Sequence, residues 1–162
     1  LSHSSAASDV YKRQEQKSDE LITMSDNIWH AAEVAFREEK SAQYLMEYAK
    51  QNGFDVDSDL AGMPTAFTAT FGEGSPIIGI IGEFDALPGL SQTTVPYKNQ
   101  LKEGEAGHGC GHNLFGTASL GAAVAIKELI EKGSLKGTVK YFGTPAEEKF
   151  FGKLWMLSLI HI

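Results

Sequence analysis

The chain has 162 residues, 42% hydrophobic and 22% charged, with 14 Lys and Arg against 21 Asp and Glu for a net charge of −7. That composition is expected of a soluble, globular chain holding one domain or part of one, and its acidity argues against a nucleic-acid backbone as partner. The single cysteine allows no internal disulfide, no apolar run approaches the roughly 20 residues of a membrane helix, and no basic-then-apolar leader precedes a small-residue cleavage site, so the cytoplasm is the expected compartment.

The two ends stand apart from the rest. Written as the codons GAT GTG TAT AAG AGA CAG, the DVYKRQ of 9–14 has a reverse complement, CTG TCT CTT ATA CAC ATC, that translates as the LSLIHI of 157–162. These bases resemble the mosaic-end adapter of transposase-based sequencing libraries, and SSAAS at 4–8 fits the adjoining primer. Residues 1–14 and 157–162 are therefore expected to be adapter-derived, flanking a gene fragment at 15–156. That removes His3 and His161 as candidate ligands and leaves His30, His108 and His112.

Between the ends, Leu21, Ile22, Ser25, Ile28, Trp29, Ala32 and Phe36 fall mostly at helical spacing, which predicts a helix over 18–36 with Ser18 as N-cap. A second helix is expected from about Ser41, with Leu45, Tyr48 and Ala49 on one face and a stop at Asn52-Gly53. TAFTATF at 65–71 alternates as a half-buried strand does, and the turn residues GEGS follow it. The next stretch, PIIGIIGEFDALPG at 76–89, is apolar for six residues after its proline, which predicts a strand buried on both faces. A polar loop without period fills 89–108, and loops of that length are often functional. From Asn113 or Thr117 to Lys132, with TASLGAAVAIKELIEK, runs the best helix of the chain, closed by Gly133, and GTVKYFGT at 137–144 is a further core strand that delivers PAEE at its carboxyl end. The expected class is α/β, with the chemistry on loops at strand ends.

Three clusters occupy such positions: Glu83 and Asp85; His108, Cys110 and His112; Glu147 and Glu148. Thiolate, imidazole and carboxylate together form the ligand set of zinc and neighbouring metals. Gly109 and Gly111 free the backbone so that Cys110 and His112 can turn towards one ion. A helix starting just after His112 would aim its positive end at the loop and lower the thiol pKa. A lone cysteine is more often a buried small hydrophobe, and adjacent glutamates are more often a solvated helix start. The frame His-Gly-Cys-Gly-His and the strand-proline context of the glutamates favour a site. One glutamate of such a pair can bind an ion while its neighbour takes a proton from water.

EFDALPGLSQ, GHGCGHNLFGTASLGAA and GTPAEE, in this order and with these separations, resemble the metal-dependent amidohydrolases of the aminoacylase and carboxypeptidase kind, and among them the aminobenzoyl-glutamate-cleaving branch. AEVAFREEKS and AGMPTAFTATFG extend the resemblance over essentially all of 15–156. It implies the N-terminal part of a zinc-peptidase-like catalytic domain, a mixed sheet flanked by helices, truncated and without the family's second, smaller domain. It also implies zinc or manganese, as one or two ions, held by Cys110, His112 and Glu148, with Glu147 as general base and Asp85 orienting the centre. His108 has no assigned role. Glu83 stands where distant relatives carry a ligand histidine, and Asn113 replaces an aspartate common in broader relatives. The implied substrate is a small N-acyl or aminobenzoyl amide of an amino acid. The full-length form is expected to be a homo- or hetero-oligomer, and the fragment itself to bind metal weakly and turn over nothing. Two alternatives stay open: a cysteine-nucleophile hydrolase using Cys110, and a non-catalytic structural metal module. The adapter assignment is checked by the nucleotide record, where codons other than those above at either end overturn it.

Overall fold

The computed structural model describes residues 12 and 15–161, so most of the 1–14 adapter reading lies outside the described residues. Among the described residues, the helices α1 (Ser18–Ala31) and α2 (Glu39–Gln51) precede the sheet. The strands β1 (Asp55–Ser58), β2 (Phe67–Glu73) and β3 (Ile77–Glu83) follow, then α3 (His112–Glu131), β4 (Gly137–Thr144), the single turn α4 (Glu147–Phe150) and α5 (Gly152–His161). The sheet order is β1-β2-β4-β3, with β4 antiparallel to β2 and parallel to β3. The expected α/β class with a mixed sheet is observed. The β3–α3–β4 crossover brings two parallel carboxyl ends, Glu83 and Thr144, to the same register position, and such ends are where α/β sheets bind ligands.

Alternation along β4 divides the core. Tyr141 joins Met24, Ile28, Leu45, Phe67, Phe84 and Leu120 in the larger cluster beneath α1, α2 and α3, while Phe142 packs with Met63, Ala66 and Met156 of α5 in the smaller one. Gly116 sets how closely α3 approaches β3: a Cβ there would lie 2.5 Å from the backbone oxygen of Glu83. The buried Tyr141 hydroxyl donates to the Gly116 carbonyl at 3.1 Å and fixes the same approach from β4.

Three expectations are corrected. The first helix stops at Ala31 rather than near Phe36, because Ala32 takes a left-handed conformation (φ 44°) that breaks the helical path. Ser18 lies inside that helix and does not cap it; Lys17 is the N-cap position, without a side-chain bond. β3 is not buried on both faces: Ile77, Ile78 and Ile81 are 67%, 51% and 47% exposed, since β3 is an edge strand of the described sheet. The second helix ends as expected, with Gly53 at φ +80°, and the 137–144 strand has the expected bounds. Gly116→Ala should destabilise the chain by about 1–3 kcal/mol through overpacking against β3. Denaturant titration measures this, and an unchanged midpoint would contradict the close-approach role.

Candidate metal centre

Three chain segments meet beyond the carboxyl ends of β3 and β4. The strand β3 ends in Glu83, and Asp85 follows it into the core, completely buried. Its neighbour Ala86 is tied to the α1–α2 turn by a 2.8 Å bond from its N–H to the Glu33 carbonyl. The helix α3 starts at His112, and the preceding Gly111 at φ 81° supplies the left-handed step that a side chain would strain. After β4, Ala146 at φ 58° turns the chain so that Glu147 and Glu148 open α4.

Asp85 joins the three. His112 Nδ1 lies 3.0 Å from Asp85 Oδ1 and 3.1 Å from the Asp85 carbonyl, so the ring donates its Nδ1 proton there. The second carboxylate oxygen, Oδ2, accepts the Glu148 N–H at 2.9 Å. This leaves His112 Nε2 facing the other carboxylates, 3.0 Å from Glu83 Oε2 and 3.9 Å from Glu147 Oε2. Burial disfavours the imidazolium, but the Asp85 hydrogen bond and the charges of Asp85 and Glu148 prevail and raise its pKa.

Ligand atoms of Glu83, His112 and Glu147 all lie within 4.8 Å of one another. Glu148 stands at the other edge of the ring, with Oε1 3.7 Å from Nδ1. That oxygen is buried and has no hydrogen-bond partner. One imidazole within reach of four carboxylates, with a thiol beside Glu148, is a donor set that suits a divalent cation. The residues therefore fit a divalent ion.

Cys110 is exposed. The Glu148 carboxylate beside it pushes its pKa up, with Glu147 and Asp85 adding to the effect. The expected lowering by the α3 N-terminus is thus corrected: a full negative charge at the thiol outweighs a helix end of roughly half a charge. His108 turns away from the centre. Its Nε2 donates to the Ile28 carbonyl at 3.1 Å, burial lowers its pKa, and it lines a separate cleft of about 580 Å³ with Trp29 and Leu101. Asn113 is structural here, donating to Ser25 of α1 at 3.0 Å.

Two participants escape the sequence reading. Lys153 of α5 pairs with Glu83 Oε1, and Glu38 reaches the Ala146 N–H at 2.8 Å. Neither lies in a motif with ligand spacing. The only signal for Glu38 is that it falls within AEVAFREEKS.

The sequence model of a family described as Peptidase family M20/M25/M40 matches residues 79–161, just over half of the chain. The chain is 43% identical over 135 residues to a subunit of the p-aminobenzoyl-glutamate hydrolase of Escherichia coli, covering 83% of this chain and 28% of that protein. It is 28% identical to N-acetylcysteine deacetylase of Bacillus subtilis, covering 79% of this chain and 33% of that one. The chain thus spans about a third or less of these relatives' length. A solved Bacillus subtilis structure, described as a dinuclear metal-binding peptidase of the M20 family, superposes with a TM-score of 0.75 at 26% identity, covering 89% of this chain and 39% of that one.

The raised Cys110 pKa means less thiolate at a given pH. In metal-free protein the alkylation rate of Cys110 should reach its midpoint at higher pH than a free thiol, and Glu148→Gln should move that midpoint down. A midpoint at or below the free-thiol value would contradict the carboxylate's influence.

Proposed function

Because the chain belongs to the peptidase family M20/M25/M40, we propose that it supplies the N-terminal part of the catalytic domain of a metal-dependent amidohydrolase. In this reading His112 Nε2 and Cys110 Sγ hold the ion with Glu148, which turns from its place beside Nδ1 to reach it, and Glu83 beside Nε2 offers a further oxygen. The observation that carries it is the cluster of Glu83, His112 and Glu147, whose ligand atoms all lie within 4.8 Å of one another. When bound, zinc or manganese supplies Lewis acidity to the scissile carbonyl and makes water more acidic.

The chain's own residues divide the remaining work. Asp85 keeps the His112 proton on Nδ1, so Nε2 presents its lone pair. Glu147, with a third of its side chain exposed, is open to solvent and substrate. It takes the proton of the attacking water and returns it to the departing amine nitrogen. Glu148 is held more rigidly, its N–H pinned by Asp85, which suits a ligand better than a base.

The substrate we propose is an N-acyl or aminobenzoyl amide of an amino acid, the class to which the names of both relatives point. The full-length protein is read as a cytoplasmic homo- or hetero-oligomer, in keeping with the first relative's being named as one subunit of its enzyme. Among the described residues no helix is long and apolar enough to cross a membrane. Residues 15–156 are read as the gene-derived segment, which alone binds metal weakly. A Cys110 nucleophile is disfavoured, since the thiol stands beside Glu148 and both His112 nitrogens face carboxylates.

In the full-length protein, chelation should abolish amide hydrolysis and zinc, manganese or cobalt should restore it. Glu147→Gln should lower kcat by about 10²–10⁴-fold with metal content retained, whereas His112→Ala should lose the metal. Activity indifferent to chelation but abolished by thiol alkylation would overturn the reading. Appreciable hydrolysis by the 162-residue chain alone would overturn its fragment part.

A further inference from the structure

Two carboxylates are completely buried among the described residues, Asp85 and Glu38. Asp85 is accounted for by His112 and Glu148. Glu38 stands at the N-cap position of α2 but makes no capping bond there. Glu33 does that work instead, accepting the N–H groups of Lys40 at 3.1 Å and Ser41 at 2.8 Å. No ion pair to Glu38 is found among the described residues, so neither helix capping nor charge pairing explains its burial.

Its partners lie elsewhere in the chain. Glu38 Oε1 accepts the Ala146 N–H at 2.8 Å across 108 residues of sequence, and Oε2 accepts the Thr65 hydroxyl at 3.2 Å. The N–H of Phe36 also supports the carboxylate. Ala146 is a non-glycine residue in the left-handed region, with φ 58° and ψ 38°, a conformation that persists only where its surroundings impose it. The next residue but one, Glu148, has its own N–H on Asp85. Glu147 is therefore flanked by two amides, each held by a different buried carboxylate.

Resting on the metal-centre reading above, we infer that Glu38 is a positioning residue: by accepting the Ala146 N–H it holds the left-handed turn that aims Glu147 and Glu148 at His112. A second tie joins the same segments, Phe36 stacking on Phe150 with ring centroids 5.2 Å apart. Loss of the Glu38 bond consequently loosens the turn while the segments stay together.

The test uses the full-length protein with cobalt as probe. Cobalt dissociation constant, visible absorption spectrum, kcat, KM and melting temperature are measured for the parent, Glu38→Gln, Glu38→Asp and Glu38→Ala. Glutamine keeps an acceptor for the Ala146 N–H and offers its amide protons to the Thr65 oxygen, so Glu38→Gln should retain parental affinity and spectrum. Glu38→Ala should weaken cobalt binding by about 10–100-fold, as loss of a ligand-orienting partner does, alter the spectrum, and lower kcat with KM little changed. Glu38→Asp, one methylene shorter, should show the same direction and carries the test if Glu38→Ala does not fold. A folded Glu38→Asp or Glu38→Ala with parental affinity, spectrum and kcat overturns the inference, as does Glu38→Gln failing as severely as Glu38→Ala. A parent that binds no cobalt overturns the metal-centre reading itself, and this inference with it.

Discussion

The hydrogen bonds of the Asp85 carboxylate are the constraint on which the centre depends. One oxygen takes the Nδ1 proton of His112 and the other takes the Glu148 N–H. Those two bonds tie the residue after β3, the start of α3 and the turn after β4 into one unit. A completely buried carboxylate is costly unless every oxygen is occupied. Burial here makes the arrangement close to all-or-none: if either partner moves, an unpaired charge is left in the core.

The crossover supplies the frame for that unit. Parallel pairing of β3 with β4 sets Glu83 opposite Thr144, so the acidic residues that follow each strand emerge side by side. Gly116 lets α3 lie against the Glu83 carbonyl, which places the helix start, and His112 with it, between the two strand ends. The start of α3 thus stands among Glu83, Asp85, Glu147 and Glu148. The same concentration of anions raises the Cys110 thiol pKa, because a carboxylate beside the sulfur acts more strongly than the dipole. A site that disfavours a free thiolate while gathering four carboxylates around one imidazole suits a bound cation better than a sulfur nucleophile.

Local pattern made much of this legible. GTVKYFGT at 137–144 was legible as the core strand β4, and the helical run closed by Gly133 as α3. Asp85, His112, Glu147 and Glu148 were readable because each lies at the end of a readable element. What local pattern does not contain is sheet order: IIGII reads as a buried strand, and only its place at the edge exposes Ile77, Ile78 and Ile81. The helix stop at Ala32 was hidden for a related reason, since a left-handed alanine carries no glycine or proline signal. Lys153 and Glu38 were invisible because their partners lie 70 and 108 residues away.

The turn at Ala146 shows how such long-range bonds substitute for residue choice. Glycine adopts the left-handed region without strain, but it leaves the flanking peptides free to rotate. Alanine there is disfavoured in isolation, so the conformation has to be imposed from outside, and the Ala146 N–H is held by Glu38 while the Glu148 N–H is held by Asp85. Both acceptors are completely buried carboxyl groups, whose desolvation makes each bond expensive to leave unmade. The strained residue and the costly carboxylates therefore form one device. The cost of burying two carboxyl groups is offset by a turn with one orientation, and that orientation keeps Glu147 near His112 Nε2 and Glu148 near the opposite edge of the ring.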